Sequence, residues 1–342
     1  MEYLIIFMTA FVLCFIFVPL AMKIAYRFNI LDKPITKLKK HSKPVPYLGG
    51  VAIYFSFVIT VITAKLFLHQ TFHGVIGILI GCTLMFVVGL IDDIRNLSPY
   101  IKLFFQFLAS LVLLKVNLHI RFMDENVLNY ILTVLWVIGV TNAFNIIDIM
   151  DGLSGGVALV ASFAFFIVAF IAGRINDMIP AIALAGALIP FLFFNKPPAK
   201  IFMGDAGSLF IGFLLATLAL NGGYSRVNNI AVLSPVLILG VPIFDTFLVM
   251  LMRIAKGRLP IYGSDDHLAQ RLVMIGFSKP RAVLFLVLLT TILSFVAIIS
   301  TFLKQDGAFI LYLFVLICAM MFAMIVTTVD MRHYHKIHRK RK

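Results

Sequence analysis

The chain has 342 residues, 62% of them hydrophobic and only 13% charged, with a formal net charge of +14. Its mean hydropathy of +1.05, carried in apolar runs of about 20 residues, excludes a soluble globular enzyme and predicts a polytopic helical membrane protein. The alternating ten-residue pattern of a membrane β-barrel is not seen. The positive charge has the distribution of membrane topology and lipid contact, not of nucleic-acid binding.

The first apolar run, Tyr3 to Ala25, follows no positive residue and is too long for a signal-peptide core, so it reads as a retained membrane helix. Further apolar segments fall near 48–68, 74–91, 103–119, 128–147, 153–173, 178–194, 208–221, 230–252, 282–303 and 307–329. The fold class expected is all-α, with about eleven transmembrane helices. The fourth and eighth segments are the weakest. An odd number of spans puts the termini on opposite sides. Placing the connection after the first helix and the C-terminal tail in the cytoplasm puts 23 of the 29 Lys and Arg on that side, as the positive-inside rule requires. The N-terminus is then outside and the C-terminus cytoplasmic. Residues 1–342 form one membrane domain, with cytoplasmic connections near 26–47, 92–102, 148–152, 195–207 and 253–281 and a basic tail at 330–342. Cys14, Cys82 and Cys318 sit in apolar runs without metal or disulfide spacing.

The same topology gathers Asp92, Asp93, Asp148, Asp151, Asp205, Asp265 and Asp266 at cytoplasmic connections or helix ends. The stretch TNAFNIIDIMDGLSGG, Thr141 to Gly156, sets Asn142, Asn145, Asp148 and Asp151 three residues apart. On a continuous helix this is a polar stripe whose neighbours can share a ligand. Ionised side chains near a bilayer cost roughly 2.5–3.5 kcal/mol each at helix-centre depth, so such a stripe calls for a function. A capped turn around Asp151 and Ser154 is the plainer reading.

Three other stretches carry chemistry. In GLIDDIRNLSPYIKLFFQ, Gly89 to Gln106, paired aspartates end a helix where the macrodipole disfavours negative charge. They want a divalent metal, Arg95 or Lys102, although a solvated ion-paired helix end would look alike. In FMGDAGSLFIG, Phe202 to Gly212, small residues flank Asp205 at a helix start. This suits a phosphate or metal corner, or an ordinary N-cap made by Asp205 or Ser208. The connection Arg253 to Ala282 carries Asp265, Asp266 and His267 ahead of Arg271. Arg and His can hold phosphate oxygens, while most of its basic residues also suit a lipid-facing loop. Lys40, His41 and Lys43, and the His-bearing tail, read as phosphate-reaching or headgroup-facing charge. Scattered Asp near Asn, Lys and His at a lipid boundary suits Mg²⁺-dependent phosphoryl transfer between a soluble and a membrane substrate.

GLIDDIRNLSP, NAFNIIDIMDGLSGG, FMGDAGSLFIG, PIFDTF and DHLAQRL, with KPVPYLGG before them, occur in the order found in a known family. The chain resembles the polyprenyl-phosphate N-acetylhexosamine-1-phosphate transferases of glycosyltransferase family 4, the bacterial family of WecA, TagO and MraY. The resemblance implies eleven helices with an outside N-terminus, in the bacterial cytoplasmic membrane. It implies transfer of a HexNAc-1-phosphate, with GlcNAc favoured, from a UDP-sugar to undecaprenyl phosphate with release of UMP. A cytoplasmic site, a Mg²⁺ cofactor (or Mn²⁺ in its place) and a second copy as partner go with it. By position, Asp92 and Asp93 match the paired catalytic acids and Asp205 the metal aspartate. Asp148 falls to the metal as well. Asn145, Asp148 and Asp151 match the nucleotide-side polar stripe, and Asn142, Lys102, His267 and Arg271 join Asn145 and Asp151 in substrate binding. Ile149 stands where the family usually has glycine, Gln270 where a histidine is common, and Tyr47 where arginine is frequent. The DHLAQRL loop lacks the histidine-rich pattern of the muramoyl-pentapeptide enzyme, the alternative within the family. From a different class, a cation-coupled transporter would also need intramembrane acids, held near mid-span and often in repeated halves.

Overall fold

The computed structural model describes residues 1–32, 44–70, 75–121, 125–221, 229–255, 257 and 266–329. Lys40, His41, Lys43, Asp265 and the tail at 330–342 lie outside the described residues. The architecture is all-α. In chain order the long helices are α1 (Glu2–Arg27), α2 (Gly49–Phe67), α3 (Ile76–Arg95), α4 (Pro99–Lys115), α5 (Asn126–Ile147), α6 (Leu153–Ile171), α7 (Ile175–Asn195) and α8 (Gly204–Asn221). A 3₁₀ turn at Asn229–Leu233 leads into α9 (Ser234–Ile238) and α10 (Gly240–Ala255), followed by the short α11 (Leu268–Met274), then α12 (Lys279–Ser300) and α13 (Gln305–Thr327). The strand content among the described residues is one two-residue antiparallel ladder, β1 (Leu31–Asp32) with β2 (Val45–Pro46).

Each apolar segment of the sequence coincides with a helix except 230–252, which is broken into a 3₁₀ turn, α9 and α10. Eight of these helices are long and apolar enough to cross a membrane, or nine if Ile230–Ile238 and Gly240–Ala255, bent by 78° at their break, count as one span. The fourth and eighth segments are the short ones. α4 has 17 residues, about 25 Å of helix against a hydrocarbon core of about 30 Å. The bend falls where Gly240 and Pro242 interrupt the apolar run, as helix-breaking residues do when neighbours re-satisfy the backbone.

α8 is the centre of the bundle. Its residues Leu209 to Leu215 are buried on every side, the mark of a helix enclosed by protein. α2, α3 and α5 pack directly around it. α13 is the opposite case, apolar and almost wholly exposed, as a lipid-facing helix would be. Away from the acids, the far ends of α2 and α7 are joined by Lys65. Its side chain is fully buried and donates to the Asn176 amide oxygen, beside an Arg174–Asp177 ion pair of 2.8 Å.

Candidate active site

Three turns bring the acids to one end of the bundle. The first joins α3 to α4. Asn96 takes a left-handed conformation, φ 49°, which ends α3 and which Asn tolerates better than most residues. The N–H of Leu97 then turns back to Asp92 Oδ1. Ser98 caps α4, accepting from the N–H of Ile101 at 3.4 Å, with Pro99 in the first turn, a sequence-readable helix start. That tight reversal lays Lys102 over Asp92. Its ammonium donates to Asp92 Oδ2 at 2.8 Å and to Asp205 Oδ2 at 2.9 Å.

The second turn starts α8. Gly204 has φ 72°, a conformation glycine adopts freely. A Cβ there would lie 2.6 Å from Asp93 Oδ2 and 2.7 Å from the Tyr47 carbonyl oxygen. The cap of α8 comes from α3, not from Asp205 or Ser208. Asp93 accepts from the N–H of Asp205 at 2.7 Å through Oδ1 and from that of Ala206 at 3.0 Å through Oδ2. A carboxylate on otherwise unsatisfied N-terminal N–H groups is favourable in both hydrogen bonding and dipole alignment. The approach is tied down by Gly49 and Gly50, whose N–H groups donate to the carbonyls of Phe202 at 3.0 Å and Met203 at 2.8 Å.

The third turn follows α5, and here the polar stripe breaks. The helix stops at Ile147, so Asp148 is its C-cap and Asp151 lies in the next turn. The four residues therefore do not line one helical face. Asn142 is paired with the buried Gln106 of α4, donating to its amide oxygen at 2.7 Å and accepting at 3.3 Å. Asn145 reaches the acids, its Nδ2 donating to Asp205 Oδ1 at 3.0 Å and to Ser208 Oγ at 2.9 Å. Asp151 accepts from the N–H of Ala199 at 3.0 Å, and Asn195 joins the same two loops, accepting from Gly152 N–H and donating to the Ile201 carbonyl, each at 2.8 Å. Ile149, in the usual place of a glycine, is exposed and has no positive φ, so the turn needs no glycine there. Asp148 accepts no hydrogen bond from the described residues, and its carboxyl is pushed up to about 7 by burial and then by the charges of Asp205 and Asp151. The Tyr47 phenol is raised in the same way, by burial and then by Asp93 and Asp205.

Asp92, Asp93, Lys102, Asn145 and Asp205 thus form one connected cluster, with Asp148 electrostatically joined to it. Asn142 sits beside it on the Gln106 pair, and Asp151 braces the α7–α8 connection. His267 and Arg271 belong to a second group at the start of α11. His267 Nδ1 lies 3.0 Å from Asp245 Oδ2. Arg271 is fully buried, donating to the Asp266 carbonyl and to the Val326 carbonyl, each at 3.0 Å. Gln270, where a histidine is common, accepts weakly from the His267 N–H at 3.4 Å. Asn195 and Asp245 are not singled out by spacing. Their advance signal is a polar side chain inside an apolar run, which a bilayer penalises unless it is used, and for Asp245 also its place in the PIFDTF motif.

Among the described residues no group of three or more His, Cys, Asp or Glu is placed to hold a metal ion. The cluster does hold a cation, the Lys102 ammonium, between two carboxylates. The acids gather at helix ends, away from mid-span.

Residues 75–223, which include this cluster but not Asp245 or His267, match the model of the glycosyl transferase family 4. Over 333 residues the chain is 32% identical to a probable undecaprenyl-phosphate N-acetylglucosaminyl 1-phosphate transferase of Bacillus subtilis (strain 168), covering 94% of this chain and 90% of that one. It is 30% identical to a decaprenyl-phosphate N-acetylglucosaminephosphotransferase of Mycolicibacterium smegmatis, covering 82% and 77% of the two chains. An undecaprenyl-phosphate alpha-N-acetylglucosaminyl 1-phosphate transferase of Yersinia pestis is 28% identical, with coverage of 86% and 83%. The chain belongs to glycosyl transferase family 4, among the polyprenyl-phosphate N-acetylhexosamine-1-phosphate transferases.

Proposed function

We propose that this protein transfers GlcNAc-1-phosphate from UDP-GlcNAc to undecaprenyl phosphate, releasing UMP, at the cytoplasmic face of a bacterial inner membrane. The observation that carries the reading is the Lys102 bridge between Asp92 and Asp205, with Asn145 on the other oxygen of Asp205. In the reaction an oxygen of the lipid phosphate forms a bond to the β-phosphorus of UDP-GlcNAc. The bond from that phosphorus to the bridging oxygen breaks, and UMP leaves with the electron pair. Such a transfer needs positioning and charge neutralisation more than covalent chemistry by the protein.

The residues divide the work by what they touch. Asp93 has both oxygens on the α8 backbone, so its part is to hold Asp205 in place. Asp92 is the acid left to orient the lipid phosphate or take its proton. Lys102, released from its two carboxylates, neutralises phosphate oxygens. Asn145 fixes the rotamer of Asp205. The donor set does not make a closed cage, but it suits an ion held by one or two carboxylates and completed by substrate oxygens. Asp205 and Asp148 are the residues that would hold Mg²⁺, or Mn²⁺ in its place, and the ion would supply neutralisation of the transferring phosphate.

In this reading α4, α8 and the bent α9–α10 pair are counted as crossings, which would make eleven and set this end of the bundle on the Lys- and Arg-rich side, and a second copy of the chain is a proposed partner. The test is UMP release from UDP-GlcNAc by purified protein supplied with undecaprenyl phosphate, with and without Mg²⁺. Lipid-linked GlcNAc formed in step with UMP supports the reading. No lipid-linked sugar, with solute uptake by proteoliposomes instead, refutes it in favour of a transporter.

A further inference from the structure

We propose that Asp245 is a positioning residue for the nucleotide sugar: it fixes the His267 imidazole through Nδ1 and leaves Nε2 to the diphosphate. The inference rests on the transferase reading and deepens it.

Asp245 lies in α10, and 2% of its surface is exposed. A carboxylate so enclosed in an apolar segment is costly unless fully engaged. Both of its oxygens are in use. Oδ1 accepts from the N–H of Leu268, the first residue of α11. Oδ2 lies 3.0 Å from His267 Nδ1, and His267 is itself only 5% exposed. One side chain therefore sets both the start of α11 and the ring of the residue before it. No described residue bonds Nε2. With Nδ1–H donated to a carboxylate, the tautomer and ring plane are set. Arg271 keeps the arm rigid from the other side, through the Asp266 and Val326 carbonyls. A ring held this way loses little freedom on meeting its ligand, which is what positioning contributes.

The plainer reading is a staple between α10 and α11 without a role in binding. Full-length protein in nanodiscs separates the two. UMP release is measured against UDP-GlcNAc and against undecaprenyl phosphate for the parent, Asp245→Asn, Asp245→Ala, His267→Ala and the Asp245→Ala/His267→Ala double variant. Asp245→Asn keeps an acceptor for the Leu268 N–H and serves as the variant that folds. For both Asp245 variants the KM for UDP-GlcNAc is expected to rise about tenfold, the loss of one charge-assisted bond, with the KM for the lipid changed less than twofold. The double variant should be no worse than His267→Ala, and the ¹⁵N signal of the His267 ring should shift in Asp245→Asn. Additive losses in the double variant, or an Asn variant with the parental KM and ring signal, would overturn the positioning role. A parent that releases no UMP would sink the transferase reading itself, a result distinct from either.

Discussion

Asp93→Asn tests whether the second acid of the pair works on the α8 loop or on the reacting atoms. Its carboxylate accepts two backbone N–H groups, from Asp205 at 2.7 Å and Ala206 at 3.0 Å. Hydrogen bonds to a charged group contribute about 1.5–3 kcal/mol each. The Asn side chain keeps one acceptor and turns an amide N–H₂ toward a backbone N–H, so one bond is lost and two donors face each other. The cost should be about 2–3 kcal/mol, and Asp93→Ala, losing both, should cost about 3–5 kcal/mol. At roughly 2 °C per kcal/mol for a chain of this size, the Asn variant should unfold about 5 °C below the parent. Its UMP release should fall about 10- to 100-fold, because Asp205 moves with the loop. Thermal unfolding of the full chain in nanodiscs, beside UMP release on the same samples, reads both. An Asn variant with the parental midpoint and activity reduced more than about 10³-fold would show Asp93 acting directly on substrate, and the argument would fail.

Lys102→Met leaves Asp92 and Asp205 facing each other without their shared cation. UMP release should drop at least about 100-fold, with Lys102→Arg recovering part of it, and an unimpaired Met variant would remove Lys102 from the mechanism. Asp148, with its carboxyl pushed up to about 7, gives a pH test on the metal-free protein. Because the folded state disfavours its ionised form, Asp148 costs stability as pH rises from about 4 to about 7. Asp148→Asn should therefore match the parent near pH 4.5 and unfold at a higher temperature than the parent at pH 8, and a gap independent of pH would contradict this. Gln106→Leu and Asn142→Leu each strand one amide of a partly buried pair at about 1–3 kcal/mol. The double variant should be less destabilised than the sum of the two, as thermal unfolding would read, and strict additivity would mean the pair is not coupled.

Much of the fold could be read in advance because hydropathy in a membrane chain is a strong signal. The apolar helices, the short fourth and eighth among them, and the gathering of acids at one end follow from it, while the end of α3 and the starts of α4 and α8 lie about four residues from the ends of the apolar runs. The start of α4 was also legible, since Ser98 and Pro99 are local cap chemistry. What was not legible is non-local. The N-terminus of α8 is capped by a carboxylate 112 residues earlier in the chain, and no periodicity marks a cap supplied by another helix. The even spacing of Asn142, Asn145, Asp148 and Asp151 suggests one helical face, yet α5 ends at Ile147 and the side chains part: Asn142 to Gln106, Asn145 to Asp205 and Ser208, Asp151 to the Ala199 N–H, with Asp148 in the turn. The break between α9 and α10 had a signal in Gly240 and Pro242, outweighed by the unbroken apolar run around it.

The acids meet because three helices can approach more closely than side chains allow. A Cβ on Gly50 of α2 would fall on the backbone of Gly207 in α8, and one on Gly89 of α3 on the backbone of Asp205 and Ala206. Between membrane helices no hydrophobic force drives association, so close backbone contact at small residues is a principal source of packing energy. Gly89 is three residues before Asp92 and four before Asp93, almost one turn up the same face. The close contact at Gly89 therefore sets how near those two carboxyl groups come to Asp205. The glycines in GLIDD and MGDAG belong to the cluster in this sense: without their close backbone approach the Lys102 bridge could not span two helices.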